Sequence, residues 1–117
     1  MVVSDRIFPG GVFPANCPSR TVLDHVTSKW GVLVLLALAE EEPLRWSDLR
    51  RRVEGVSEKM LAQTLRTLGE DGLVARLAHP VVPPHVEYSL TERGRELAAL
   101  LQPLMRWIAA NAEEILG

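Results

Sequence analysis

Apolar and polar positions along this 117-residue chain alternate between helical and strand-like periods, and the switches predict its elements. Between Ser57 and Gly72, Leu61, Leu65, Leu68 and Gly72 recur at spacings of four, three and four, which marks one buried helix face. Ser57 suits the N-cap and Gly72 the stop. Lys59, Gln63, Arg66 and Glu70 recur at the same spacing on the opposite face, and no large apolar residue interrupts them. Leu73 to His79 then reads as a strand. Pro80-Val81-Val82-Pro83-Pro84 cannot pair in a sheet interior. Val86-Glu87-Tyr88-Ser89-Leu90 alternates with period two and reads as a second strand. A polar-faced helix followed by a two-stranded hairpin is what a recognition helix and its wing look like in one dimension.

The flanking segments complete this pattern. Met1 to Asn16 hold no period and contain Pro9, Gly10, Gly11 and Pro14; they predict an arm over 1–16, with Ile7, Phe8, Val12 and Phe13 as docking side chains. Cys17-Pro18 opens a first helix, since proline is favoured in the first turn. Val22, Leu23 and Val26 give that helix an apolar face, with Asp24 and His25 outside. Lys29-Trp30-Gly31 joins it to a second helix, Val32 to Glu40, which is apolar all round and predicts the buried spine. Glu40-Glu41-Glu42-Pro43 ends it as a solvated corner. Leu44-Arg45-Trp46 is short enough for a third strand or a link. Ser47 is placed to cap Asp48 to Val53, with Leu49 and Val53 toward the core. Glu54-Gly55-Val56 turns the chain into the polar-faced helix, giving a helix-turn-helix. Thr91 caps a last helix over 91–117, whose stripe of Leu97, Leu100, Leu101, Leu104, Trp107, Ile108, Ile115 and Leu116 is wider than one small domain needs. Trp107 and the residues after it suit a dimer contact. Pro103 predicts a kink or division near Leu101. The fold class is mainly α with a small β-hairpin.

Composition changes the picture in one respect. Apolar residues make up 47% of the chain, enough for one domain with a modest core. The net charge of −2 counts against a nonspecific nucleic-acid binder. The distribution counts the other way: six bases and three acids between Leu44 and Thr67 give +3, leaving −5 elsewhere. A local basic surface on an acidic body engages phosphates. One cysteine excludes an intrachain disulfide framework. No secretory signal is visible, and the longest apolar run, Val32 to Ala39, is far below the roughly 20 residues of a membrane span. The expectation is a cytoplasmic, soluble protein. No glycine loop for phosphate, paired carboxylates or nucleophile elbow points to an enzyme.

The candidate chemistry is DNA recognition. Lys59, Gln63 and Arg66 suit phosphates or base edges, with Ser57, Met60, Thr64 and Thr67 at the flanks, because Gln pairs bidentately with adenine and Arg with guanine. Taken alone, this helix is better explained as a solvated face; the wing beside it, together with the family resemblance described below, reverses the weighting. Arg50-Arg51-Arg52 stands late in its helix, where cations also favour the helix terminus. Only one or two of these point to phosphate, and Arg45, Ser47 and Arg50 are assigned to positioning contacts. His79, Pro80, Pro84 and His85 bracket the hairpin tip, which reads as a DNA-contacting wing or as a stiff loop. Three histidines and one cysteine make a zinc site an outside prospect, so no metal and no cofactor is expected. Trp30, Trp46 and Trp107 are read as packing residues rather than stacking platforms.

Five motifs in register, Cys17-Pro18, Lys29-Trp30, Trp46-Ser47-Asp48-Leu49-Arg50, Ser57-Glu58-Lys59-Met60-Leu61 and Val82-Pro83-Pro84-His85-Val86-Glu87-Tyr88-Ser89-Leu90-Thr91, resemble the HxlR-type winged helix-turn-helix regulators of bacteria, related in fold to the MarR group. The resemblance runs from Cys17 to about Trp107 within a domain over 17–117. Trp46 stands where the family usually has Phe, Thr27-Ser28 where it has a glycine-rich pair, and His85 where it often has Arg. The resemblance implies a transcription regulator that binds a pseudo-palindromic operator as a homodimer built from the first and last helices, through Val22, Val26, Leu100, Leu104, Trp107, Ile108 and Ile115. It also implies a redox-sensor candidate at Cys17, since some members sense electrophiles or oxidants there. A thiolate at a helix N-terminus is stabilised by the dipole. The other reading of Cys17 is a small buried packing residue. Two alternatives to a redox-responsive regulator stay open: a winged-helix protein-docking module, and a regulator with a small-molecule pocket between the first helix and the dimer helix.

Overall fold

A computed structural model describes residues 11–117. Among the described residues, five helices and three short strands follow one another as α1 (Pro18–Val26), α2 (Lys29–Glu40), β1 (Leu44–Arg45), α3 (Trp46–Arg52), α4 (Glu58–Glu70), β2 (Val74–His79), β3 (His85–Leu90) and α5 (Glu92–Leu116). The sheet is antiparallel in the order β1-β3-β2. Leu44-Arg45 is therefore a strand, pairing with Tyr88 and Glu87. This is a winged helix-turn-helix with a helix at either end.

The core forms where the periodicities intersect. Val34, Leu35 and Leu38 of α2, Leu49 of α3, and Leu61 and Leu68 of α4 are fully buried. Leu44, Val74, Tyr88 and Leu90 of the sheet and Ala98 and Leu101 of α5 close over them. Trp30 and Trp46 pack against this cluster. Val26 joins it too, which corrects its assignment to the dimer contact. Trp107, expected to pack, remains 59% exposed.

Local caps differ from the sequence reading in two places. Helix α2 begins at Lys29, because the Ser28 hydroxyl accepts from Gly31 N–H at 3.1 Å; Lys29-Trp30-Gly31 is its first turn and not a join. Helix α3 begins at Trp46, one residue ahead of the expected cap at Ser47. Asp48 does the capping instead, accepting from Arg45 N–H at 3.2 Å. Ser57 and Thr91 cap as expected, accepting from Met60 N–H and Gly94 N–H.

Gly55 and Gly94 are among the glycines that geometry requires. Gly55 turns α3 into α4 with φ of +91°, a conformation that side chains resist. Gly94 sits so close to the residue preceding β2 that a Cβ there would lie 2.0 Å from the Leu73 carbonyl oxygen.

Pro103 does not divide the last helix; α5 runs continuously for 25 residues. Proline removes the hydrogen bond to the carbonyl four residues earlier. Both Pro103 and Ala99 are exposed, so water can take over that carbonyl. The acidic corner is also more than a solvated bend. Glu42 accepts from Leu90 N–H at 3.0 Å and takes a two-pronged fork from Arg95 at 3.0 and 3.1 Å. Glu41 takes Arg52 at 2.6 Å.

Candidate nucleic-acid interface

Helix α4 is amphipathic, and its two faces are cleanly separated. Leu61, Leu65 and Leu68 turn inward, while Lys59, Gln63, Arg66 and Glu70 are exposed. Ser57 and Met60 stand exposed at its N-terminus. Thr64 is different: at 9% exposure it is buried. With half-buried Thr67 it borders a depression of about 170 Å³ against α1, lined also by Asp24, His25 and Ser28. Its flanking DNA role is corrected to packing between helices, since a hydroxyl there cannot also reach a base.

His25 was expected outside; it is half-buried instead, with Nδ1 2.7 Å from Asp71 Oδ2 at the C-cap of α4. The depression that involves α1 thus lies against α4, whereas the ligand-pocket alternative had looked for one against the last helix.

The three consecutive arginines point in three directions. Arg52 is tied back to Glu41, and Arg51 to Asp48 within α3. Arg50 makes a loose, exposed pair with Glu58 at 3.3 Å. It borders an open groove of about 860 Å³ across the helix-turn-helix, lined also by Ser47, Arg51, Ser57 and Glu58. Exposed pairs of this kind contribute little, so Arg50 can exchange its partner for a phosphate at small cost. Arg45 is exposed on β1.

The hairpin carries different chemistry on its two faces, since side chains alternate along a strand. Val74, Arg76 and Ala78 of β2 share the inner face with Val86, buried Tyr88 and Leu90. Arg76 and Arg66 border one groove of about 440 Å³ between α4 and the hairpin. Sequence reasoning did not single out Arg76, yet the period of two that places Val74 inward places Arg76 on the same side. His79 and His85, expected to bracket the wing, are direct cross-strand partners on the outer face, and Glu87 shares it. Their rings stack with centroids 4.5 Å apart.

Cys17 is the N-cap of α1 and is buried, with Sγ 3.8 Å from the Gly11 carbonyl oxygen. The turn before it folds across the thiol: Cys17 N–H donates to the Pro14 carbonyl, and the Arg20 guanidinium to the Phe13 carbonyl at 2.7 Å. Of the proposed arm contacts, Val12 is half-buried and Phe13 exposed; Ile7 and Phe8 lie outside the described residues. Val22 and Leu23 on α1 and Leu100, Leu104, Trp107, Ile108 and Ile115 on α5 are all exposed in the single chain. No single helix among the described residues is long and apolar enough to cross a membrane.

Comparison with known proteins agrees with this geometry. The profile of the HxlR-like helix-turn-helix family matches residues 25–115. The HTH-type transcriptional regulator YtfH of Escherichia coli strain K12 is 54% identical over 115 residues, covering 98% of this chain and 90% of its own. The structure of the transcriptional regulator YtfH from Salmonella typhimurium superposes with a TM-score of 0.85 at 53% identity, over 92% of this chain and 95% of that one. The redox regulator HypR in its oxidized form superposes with a TM-score of 0.74 at 35% identity, over 81% and 97% of the two chains.

Proposed function

Given that the chain belongs to the HxlR-like helix-turn-helix family, which consists of transcriptional regulators and not enzymes, we propose that it acts in the cytoplasm as a homodimer on a pseudo-palindromic DNA operator. The observation that carries this reading is the unbroken exposed row Lys59, Gln63 and Arg66 on α4. Each protomer lays α4 in a major groove, so the half-sites lie about one helical turn apart. Gln63 and Arg66 read base edges, and Lys59 grips the backbone. Arg45, Ser47, Arg50 and Ser57 hold phosphates across the helix-turn-helix, and the wing rests against the duplex beside them. Met60 and Thr67 border the reading face.

The dimer uses what a single chain leaves uncovered. Leu100, Leu104, Trp107, Ile108 and Ile115 on α5, with Val22 on α1, form the contact. Large apolar side chains left exposed in this number are covered in solution by a partner.

Cys17 gives the regulator an oxidant input. HypR, described as a redox regulator, lends support to this part of the reading. Two electrons and the two thiol protons pass to an oxidant such as diamide, and the sulfur ends in a disulfide with Cys17 of the second subunit or with a small thiol. Because Cys17 is covered by residues 11–16, that turn must lift first. Cys17 starts α1 and His25 sits near its end against Asp71, so a displacement of α1 reaches the recognition helix.

The test is fluorescence anisotropy with DNA from upstream of the protein's own gene against a scrambled duplex, across a salt series. The expected outcome is selective binding with a steep salt slope. Equal, weak and salt-insensitive binding to both duplexes would overturn it.

A further inference from the structure

We propose that the neck of the wing is a binding site for a divalent transition-metal ion, zinc foremost, held by His79, His85 and Glu87. The site is assembled by strand register. His79 on β2 is the cross-strand partner of His85 on β3, and Glu87 follows two residues later on the same face. Cross-strand partners in an antiparallel pair hold their Cβ atoms about 5 Å apart, so the two imidazoles converge without any loop having to order. One donor atom from each of the three residues lies within 4.8 Å of the others. His79 Nε2 is buried and has only the Glu87 carboxylate against it. His85 Nε2 stands 4.0 Å from the same oxygen. All three side chains are half-buried.

The donor chemistry selects the ion. Two imidazoles and one carboxylate are a zinc-type set that leaves a further position open, whereas calcium and magnesium favour oxygen throughout. With ligands about 2.1 Å from the ion, tetrahedral geometry places donor atoms about 3.4 Å apart. To reach that geometry His85 Nε2 closes on the Glu87 oxygen from 4.0 Å while the His79–Glu87 contact opens, and side-chain rotation supplies both movements with the paired strands fixed. The ion clips β2 to β3 immediately below the Pro80 to Pro84 tip. It also turns a cluster with one carboxylate charge into one with net charge of about +1, because a bound divalent cation dominates its local field. Tighter phosphate binding by the loaded wing follows, and that consequence rests on the DNA-binding reading above.

The site is tested without DNA. Untagged, chelator-treated full-length protein is titrated with Co²⁺ as a spectroscopic stand-in and then with Zn²⁺. One cobalt per chain with intense visible bands, bleached by zinc, is expected. His79→Gln, His85→Gln and Glu87→Gln should each weaken binding at least tenfold, by analogy with losses around metal sites. His25→Gln and Cys17→Ser should leave it unchanged, and circular dichroism should be the same for all. Absence of visible bands at excess cobalt, or their persistence in the His79→Gln/His85→Gln double variant, overturns the site. Zinc should then tighten operator binding severalfold in wild type and not in Glu87→Gln. Zinc binding with no change in operator affinity overturns the coupling and leaves the site standing.

Discussion

His25 Nδ1 lies 2.7 Å from Asp71 Oδ2, so the first helix is bonded to the far end of the recognition helix across 46 residues of sequence. The contact is partly screened from solvent, with side-chain exposures of 32% and 18%. Asp71→Ala should therefore cost about 1 kcal/mol, the worth of one such bond. Chemical denaturation checks the stability. If the contact also aligns α4, operator affinity falls while the salt slope stays constant; an unchanged affinity would reduce the bond to a structural brace.

Arg66 and Arg50 should separate reading from gripping. Arg66→Ala should relax preference at one base position per half-site, at a cost of about 1–3 kcal/mol. Arg50→Ala should weaken all sequences alike and reduce the salt slope by about one. The check is anisotropy against a panel of single-base operator variants. An unaltered ranking in Arg66→Ala would remove that residue from base readout.

Trp107→Glu should give a folded monomer. Trp107 touches little within its own chain, so helicity should survive while sedimentation velocity shows half the mass. A dimer that persists in this variant would move the interface off this part of α5.

Glu42 is a structural junction, accepting from Leu90 N–H and holding Arg95 in a fork. Glu42→Ala should destabilise the fold by about 1–2 kcal/mol, with the exposed Arg95 half of the contact contributing less than the half-buried backbone half. Glu42→Gln keeps an acceptor for Leu90 and should lose less. Equal losses in the two variants, measured by denaturant titration, would assign the whole effect to the charge.

Cys17→Ser should leave binding by the reduced protein unchanged and abolish any response to diamide. Anisotropy before and after diamide decides it. A Cys17→Ser protein that responds like wild type would end the sensor assignment.

What the sequence disclosed follows from the range of the interactions. The Lys59, Gln63 and Arg66 row was readable because helical period alone separates the two faces of α4. The wing was readable because a proline-rich tip separates a strand-like run from a second run that alternates with period two. Thr64 was misplaced because its hydroxyl counts as polar in a pattern, while its position is set by α1 packing across it. His25 and Glu42 were both read as solvent-facing. Neighbouring residues say nothing of partners 46 or 53 positions away. The cluster of His79, His85 and Glu87 depends on strand register, which a two-state pattern leaves open until the turn length is known.

The close approach of Gly94 to the Leu73 carbonyl roots a helix of 25 residues directly on the base of the wing. That helix is about 37 Å long and has no hinge at its foot. In the proposed dimer, reading head and dimer arm therefore move as one rigid caliper. An operator with one base pair inserted between its half-sites should be rejected outright, because no linker exists to absorb the roughly 35° of added twist that a duplex of about ten base pairs per turn imposes.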